Sequence, residues 1–267
     1  MPTRDETIST ACRIFDATLA EAGDTPQHAF LGVYTALLWY SSAGRGRRKV
    51  PHIINANRLR PSRGRRAETA WVERARSFEA YLAERLSCDL AALPEKVDLL
   101  MSRPEFGDLQ RQNPLGIAFA GLVKHTLERF GTEHITYQTE APADDVYPGI
   151  AFPGRSRAPG IDVLARRADY PRAVISVKWS LRHDRINDIT NECPVYKQAA
   201  SRLRQPLGFY VVTNEFDPAR LAKVLDDTCI DGLAHVHSPA VSTVCGADGR
   251  LEQMLDLTDL IEATHTW

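Results

Sequence analysis

Acidic and basic side chains in the second half of the chain are spaced as in metal-dependent phosphodiester chemistry. Asp162 lies in the short apolar segment PGIDVLA, and Lys178 lies in the next β-branched segment, VISVKWS. A carboxylate is a hard oxygen ligand that suits Mg²⁺, and a nearby lysine orients or helps deprotonate an attacking water and offsets developing charge. An aspartate and a lysine on a hairpin are more often a surface pair, so this pair alone does not decide the chemistry.

A second carboxylate is expected two residues before the lysine, where this chain has Ser176. A serine does not replace an anionic metal ligand. Glu192 follows Lys178 by 14 residues, in a segment with helical periodicity. Arg185, Asp188 and Glu192 stand three and four residues apart, so they share one face of that helix. A helix packed against the end of the strand would bring Glu192 to the place of the missing acid.

The segment between Lys178 and Glu192 carries a second polar group, made of Arg182, Asp184 and Arg185. Arginine binds O6 and N7 of guanine with two hydrogen bonds, and aspartate accepts one from N4 of cytosine. These residues have the chemistry to read G and C edges in the major groove. The alternative is an ordinary helix start that is capped by Asp184, with the arginines paired to nearby acids.

The periodicity of apolar residues predicts an α/β sandwich with a mixed sheet in the second half of the chain. The predicted strands are 135–139, 161–165, 173–179, 207–213 and 241–244, and the predicted helices are 113–130, 184–203, 217–230 and 251–263. The first part of the chain has helical spacing over 7–22, 26–41 and 67–86, and no convincing strand alternation.

Composition places the chain among ordinary globular proteins, with 267 residues, 43% hydrophobic residues and a formal net charge of −1. No apolar run approaches the roughly 20 residues that span a bilayer, so no membrane association is expected. The first residues lack the layout of a signal peptide, which predicts a cytoplasmic protein. The five cysteines are odd in number and form no CxxC pair, so buried thiols are expected rather than a disulfide framework.

Positive charge is gathered in the segment 44–67, which contains no acidic residue. Such a block is usually a solvated or disordered stretch, and it is also suited to binding phosphates because it releases counterions from DNA. Its basic residues are Arg45, Arg47, Arg48, Lys49, Arg58, Arg60, Arg63, Arg65 and Arg66.

Taken together, these residues resemble the active-site and recognition segment of type II restriction endonucleases that cut sites containing CCGG, within the PD-(D/E)xK nuclease superfamily. That family carries a permuted motif with an Asp, then Ser-x-Lys, then a distant Glu, and it places R-x-D-R between the lysine and the glutamate. The matching residues, at the same offsets, are Asp162, Ser176-Val177-Lys178, Arg182-His183-Asp184-Arg185 and Glu192. The resemblance is detailed from Asp162 to Glu192 and loose over the rest of the chain from about residue 109.

The resemblance implies a PD-(D/E)xK nuclease core over residues 109–267, with a mixed sheet flanked by helices, and an N-terminal helical domain over 1–108. It implies Mg²⁺-dependent cleavage of double-stranded DNA at a palindromic site with a CCGG core, which leaves a 5′-phosphate and four-base 5′ overhangs. Asp162 and Glu192 would hold the metal, and Lys178 would position or activate the attacking water. Arg182, Asp184 and Arg185 would contact the bases.

The resemblance also implies partners. A palindromic site requires a homodimer on DNA, because each protomer reads one half. Restriction systems include a cognate DNA methyltransferase, which is a functional rather than a physical partner. Candidate contacts to the DNA backbone are Arg155, Arg157, Arg63 and Arg65.

Several alternatives stay open at the level of the sequence. Many relatives have Phe-Glu on the first core helix, where this chain has Phe119-Ala120, so the number of metal ions is not determined. A PD-(D/E)xK nuclease with a role in repair or structure-selective cleavage would keep Asp162, Lys178 and Glu192 without R-x-D-R. A close cousin would read CCGG with a base inserted at its centre, and a DNA-binding module would bind without cleaving.

Overall fold

The structure is a computed structural model that describes residues 3–43, 65–93, 95, 114–246 and 249–267. These residues fall into two compact units. One lies within Met1–Leu122 and Pro239–Asp248, and the other within Val123–Ser238 and Gly249–Trp267. The division passes through the helix that starts at residue 114, whereas the sequence interpretation placed its boundary at residue 108. Within the described ranges, no helix combines the length and the hydrophobicity needed to cross a membrane.

The described elements are helices, one five-stranded sheet and a few short 3-10 helices. The helices are α1 (Arg4–Ala22), α2 (Ala29–Ala43), α3 (Arg65–Arg85), α4 (Pro114–Phe130), α5 (Ala143–Val146), α6 (His183–Arg202), α7 (Pro218–Leu225), α8 (Ser238–Cys245) and α9 (Leu257–Ala263). The strands are β1 (Ile135–Pro142), β2 (Gly160–Arg167), β3 (Tyr170–Lys178), β4 (Gly208–Thr213) and β5 (Gly232–His235).

The first unit is built from helices in its described part. Thr3 and Glu6 form a capping box that starts α1 by satisfying backbone N–H groups that have no partner within the helix. The apolar face of α1 packs on α2, and Gly32 permits close approach because a Cβ there would lie 2.6 Å from the ring of Phe15. Ile14 and Phe15 are fully buried in this contact.

The second unit contains the mixed sheet, with strand order β1-β2-β3-β4-β5. The strands β1, β2 and β3 pair antiparallel, and β3, β4 and β5 pair parallel. The parallel register sets Lys178 beside Thr213, and Thr213 beside His235, at the carboxyl ends of three adjacent strands. This fold class, an α/β unit with a mixed sheet flanked by helices, is the one predicted from the apolar periodicity.

The helix α6 connects the two central strands, β3 and β4, and lies against both of them. The buried residues of α6 recur at helical spacing and share one side of the helix, which leaves the opposite side for polar residues. The buried residues are Ile186, Ile189, Cys193, Tyr196 and Ala200.

The prediction of a strand at 241–244 is wrong, because these residues belong to the helix α8. The sequence VSTV is rich in β-branched residues, but Ser238 and Pro239 begin a helix immediately before it, where proline is well tolerated. The last strand is instead β5, whose four residues, GLAH, include a fully buried His235.

The expectation of buried thiols is also wrong for two of the five cysteines, which form a disulfide. Cys193 on α6 and Cys229 in the segment before β5 form a disulfide, with their Cα atoms 6.2 Å apart and a sequence separation of 36. The fold brings the two together because α6 packs beside the chain entering β5, a proximity that spacing in sequence does not reveal. A loop of this length gives a disulfide about 2–4 kcal/mol of stabilisation.

We predict that the denatured protein, with thiols blocked at lysis and no reductant added, exposes three free thiols, from Cys12, Cys88 and Cys245. After reduction it should expose all five cysteines. Alkylation followed by mass spectrometry measures both numbers. Five thiols before reduction would show that Cys193 and Cys229 are not joined.

Candidate active site

Asp162 and Lys178 meet where β2 and β3 separate. The paired residues of the two strands run from Arg167 and Tyr170 to Val163 and Ile175, so the ladder stops just before Asp162. Beyond that point the backbone N–H of Val177 donates to Oδ2 of Asp162 at 2.8 Å. The ammonium of Lys178 contacts the same oxygen. The carboxylate is therefore held by a main-chain donor and a charged donor at once.

Ser176 occupies the position where a second acid was expected, and its hydroxyl donates to Oδ2 of Asp162 across 3.4 Å. This contact is long for a hydroxyl donor. The side chain of Ser176 is 4% exposed. Ser176 thus helps to orient Asp162 and brings no negative charge of its own.

Glu192 lies near the middle of α6, and its side chain is 14% exposed. Burial raises the pKa of the Glu192 carboxyl, the positive charges of Lys178 and Arg155 lower it, and the negative charges of Asp188 and Asp162 raise it. The carboxylate therefore lies within electrostatic range of both Asp162 and Lys178. The helix acid thus feels the charges at the end of the strand, and its role as the second metal ligand stays a prediction.

A cluster of aromatic rings holds this part of α6 in place. Tyr196, one turn after Glu192, packs edge-on against Phe152 with ring centres 5.2 Å apart, and it also contacts Tyr147 and Phe209. The Tyr196 hydroxyl is buried and has no hydrogen-bond partner among the described residues. Burial and the nearby charges of Glu192 and Asp162 raise the pKa of Tyr196. The ring supplies packing that fixes Glu192 relative to the sheet.

Arg155 lies in the loop before β2 and reaches across to α6. Its Nη2 atom contacts Oδ1 of Asp188 at 2.7 Å and Oε1 of Glu192 at 2.8 Å. The backbone N–H of Arg155 donates to the carbonyl of Phe152, which ties the loop to the aromatic cluster. The sequence had suggested Arg155 only as a backbone contact to DNA, without its ion pairs to these acids.

The three residues of the R-x-D-R motif lie at the start of α6. Arg182 is its N-cap and pairs with Asp184, with Nη2 to Oδ2 at 2.8 Å. Arg185 lies 3.6 Å from Asp188, and its side chain is 47% exposed. These side chains are open to solvent at one end of the helix that carries Glu192.

Sequence reasoning missed Glu215, which follows β4 and is 3% exposed. Its Oε2 accepts from the backbone N–H of Leu181 at 2.9 Å and from Nη1 of Arg220 at 3.0 Å, and its Oε1 accepts from the N–H groups of Phe216 and Asp217. Leu181 lies between Lys178 and the start of α6. Glu215 therefore holds the segment that joins the lysine to the R-x-D-R motif. A lone buried acid with no repeated spacing gives no signal in the sequence.

Arg157 is exposed in the same loop as Arg155. Arg63 lies outside the described residues, and Arg65 is the first residue of α3, with its side chain outside the described part. Glu128 on α4 pairs with Lys124 at 2.7 Å.

The donor set suits a hard divalent cation that retains water. In the described part of the chain, no three His, Cys, Asp or Glu side chains are grouped to hold a metal, and the candidate carboxylates among these residues are Asp162 and Glu192. Mg²⁺ is commonly bound by one or two carboxylates, with waters and substrate phosphates completing its shell. Two carboxylates beside a lysine fit this preference, whereas they fit poorly with zinc, for which nitrogen and sulfur ligands are typical.

Comparison with protein families and with curated proteins identifies no relative of this chain. No protein-family profile matches the chain, and the search of curated proteins returns no match. The resemblance to restriction endonucleases therefore depends on the sequence between Asp162 and Glu192.

Replacing Glu215 by alanine should lower the free energy of unfolding by at least about 3 kcal/mol, because it leaves buried N–H groups and a guanidinium without their acceptor. Urea denaturation followed by circular dichroism measures this loss. Asp217→Ala is the control, since it removes the N-cap of α7 and a long 3.9 Å ion pair with Arg220 and should cost about 1 kcal/mol. Equal losses in the two variants would contradict the role assigned to Glu215.

Proposed function

We propose that this protein is a type II restriction endonuclease that cleaves double-stranded DNA, with Mg²⁺, at a palindromic site with a CCGG core. The single observation that carries the proposal is the contact between Asp162 and Lys178 at the end of β3, within electrostatic range of the Glu192 carboxylate on α6. The proposed fold is a PD-(D/E)xK core with an N-terminal helical domain, and the proposed location is the cytoplasm.

The arrangement of charges supports hydrolysis of a phosphodiester. Asp162 and Glu192 would hold Mg²⁺, which when bound supplies a Lewis acid and an acidified water. The Val177 amide and Ser176 hydroxyl keep the Asp162 carboxylate oriented for this role. Lys178, already in contact with Asp162, orients the attacking water and offsets the negative charge that develops on the phosphate.

The start of α6 supports recognition of G and C. Arg182 and Arg185 are partly exposed, at 38% and 47% of their side chains, and their partners Asp184 and Asp188 lie on the same helix. Arginines with such exposed ion pairs can exchange a carboxylate for O6 and N7 of guanine at small cost, because surface ion pairs contribute little. Recognition and cleavage would then be joined by one rigid helix, with a homodimer reading both halves of the palindrome.

The proposed function is tested by incubating the protein with unmethylated plasmid and genomic DNA in Mg²⁺ and sequencing the fragment ends. We expect discrete fragments whose ends share a CCGG core and carry 5′-phosphates with four-base 5′ overhangs. Fragment ends in which CCGG contains an added central base would show that the protein reads the interrupted site instead. Smeared products or structure-selective nicks would favour a repair nuclease, and binding without any cleavage would disprove the proposal.

Lys178→Ala should lower the rate of cleavage by at least about 100-fold while DNA binding persists, because the lysine acts on the water and the phosphate rather than on the bases. Single-turnover cleavage and a gel-shift assay in Ca²⁺ measure the two properties. Lys223→Ala, which removes an exposed lysine near the end of α7, should leave both unchanged. Cleavage by Lys178→Ala at the wild-type rate would exclude this lysine from the site.

Arg185→Ala should weaken binding to the cognate site by about 1–3 kcal/mol, the cost of one lost bidentate contact to guanine. Binding to DNA without the site should weaken much less. A competition assay with cognate and scrambled duplexes measures this selectivity. Arg202→Ala removes the same charge at the other end of α6 and should keep the selectivity. Unchanged selectivity in Arg185→Ala would defeat the recognition role.

A further inference from the structure

A continuous series of ion pairs joins the metal-binding acid to a base-reading arginine. Glu192 contacts Arg155 at 2.8 Å, Arg155 contacts Asp188 at 2.7 Å, and Asp188 lies 3.6 Å from Arg185. Asp188 and Glu192 lie one turn apart on α6, and Arg155 bridges them from the loop before β2. The series thus runs along α6 from the proposed recognition end to the proposed catalytic acid.

One nitrogen of Arg155, Nη2, contacts both carboxylates. The Oε1 atom of Glu192 therefore has a guanidinium as its partner. The contact is positioned rather than incidental, because Phe152 packs against Tyr196 and fixes the turn that leads to Arg155. A divalent cation that binds through Glu192 has to compete with this guanidinium for the same carboxylate.

The balance of charge makes that competition unfavourable without DNA. The carboxylates of Asp162, Asp188 and Glu192 already face the cations of Lys178, Arg155 and Arg185. A divalent cation would add two positive charges to a balanced group of side chains, at a site partly shielded from water. DNA phosphates supply the missing negative charge, and they are strong acceptors for a guanidinium.

We propose that Arg155 keeps Glu192 from a divalent cation until DNA binds, and that Asp188 and a DNA phosphate then take the guanidinium. This inference rests on the proposed function and adds a regulatory step to it. When Arg185 turns from Asp188 to a base, the full charge of Asp188 becomes available to Arg155. Correct base recognition thereby frees Glu192, so the sequence that is read controls whether the metal site is completed.

The test measures Mn²⁺ binding to the full chain in the absence of DNA, by electron paramagnetic resonance at pH 8. Arg155→Ala should bind Mn²⁺ at least about threefold more tightly than the wild type, because a neighbouring positive charge is removed. The matched control is Arg157→Ala, which removes an exposed arginine two residues away and should bind as the wild type does. The gain should vanish in the double variant Arg155→Ala, Glu192→Gln.

Equal or weaker Mn²⁺ binding by Arg155→Ala would overturn the inference, and so would an equal gain in Arg157→Ala, which indicates a general effect of charge. A gain that persists without the Glu192 carboxylate would overturn it as well. If the wild type cleaves at CCGG and Arg155→Ala shows no gain, only this inference fails. If neither protein binds Mn²⁺ and the wild type does not cleave DNA, the proposed function fails with it.

A second measurement addresses the link to base recognition. With a cognate duplex present in Ca²⁺-free buffer, the wild type should bind Mn²⁺ more tightly than with a scrambled duplex. Asp188→Asn should reduce this difference, because Arg155 then lacks the carboxylate to which it is transferred. An undiminished difference in Asp188→Asn would exclude Asp188 from the coupling.

Discussion

The separation of β2 from β3 is the constraint on which the candidate site depends. Val177 lies beyond the last residue pair of the β2–β3 ladder, and its N–H donates to the side-chain carboxylate of Asp162 on β2. This contact holds a charged group at the edge of a buried sheet, and Lys178 balances its charge. A main-chain donor cannot move away without disturbing the strand, so the aspartate is fixed by the same backbone that builds the core.

The helix α6 carries the other residues of the candidate site, and it is held just before its start and again on its buried side. Glu215 holds Leu181 just before the helix starts, and Tyr196 anchors the helix one turn beyond Glu192. The disulfide from Cys193 ties the same turn to the chain that enters β5. The helix α6 therefore carries both groups. The R-x-D-R motif is exposed to solvent at the start of the helix, and Glu192 lies near its middle.

The strands and helices around the site were predictable because their apolar residues repeat with a clear period. The short apolar segment 161–165, the β-branched segment 173–179 and the apolar segment 207–213 each overlap an observed strand closely. The errors arose where the local pattern was ambiguous. The sequence GLAH is too short to show alternation, and VSTV has the composition of a strand but follows a helix start. The Cys193–Cys229 pairing depends on packing between distant segments.

The sequence by itself determined which chemical groups are present and how far apart they stand along the chain: an aspartate, a lysine, a glutamate and an R-x-D-R motif at fixed offsets. Spacing also placed Arg185, Asp188 and Glu192 on one helix face. Only the tertiary structure decided that Arg155 reaches the acids on that face and that Glu215 braces the segment before it. These contacts join residues from different elements, and their distances follow from packing of the sheet against α6 rather than from any period in the chain.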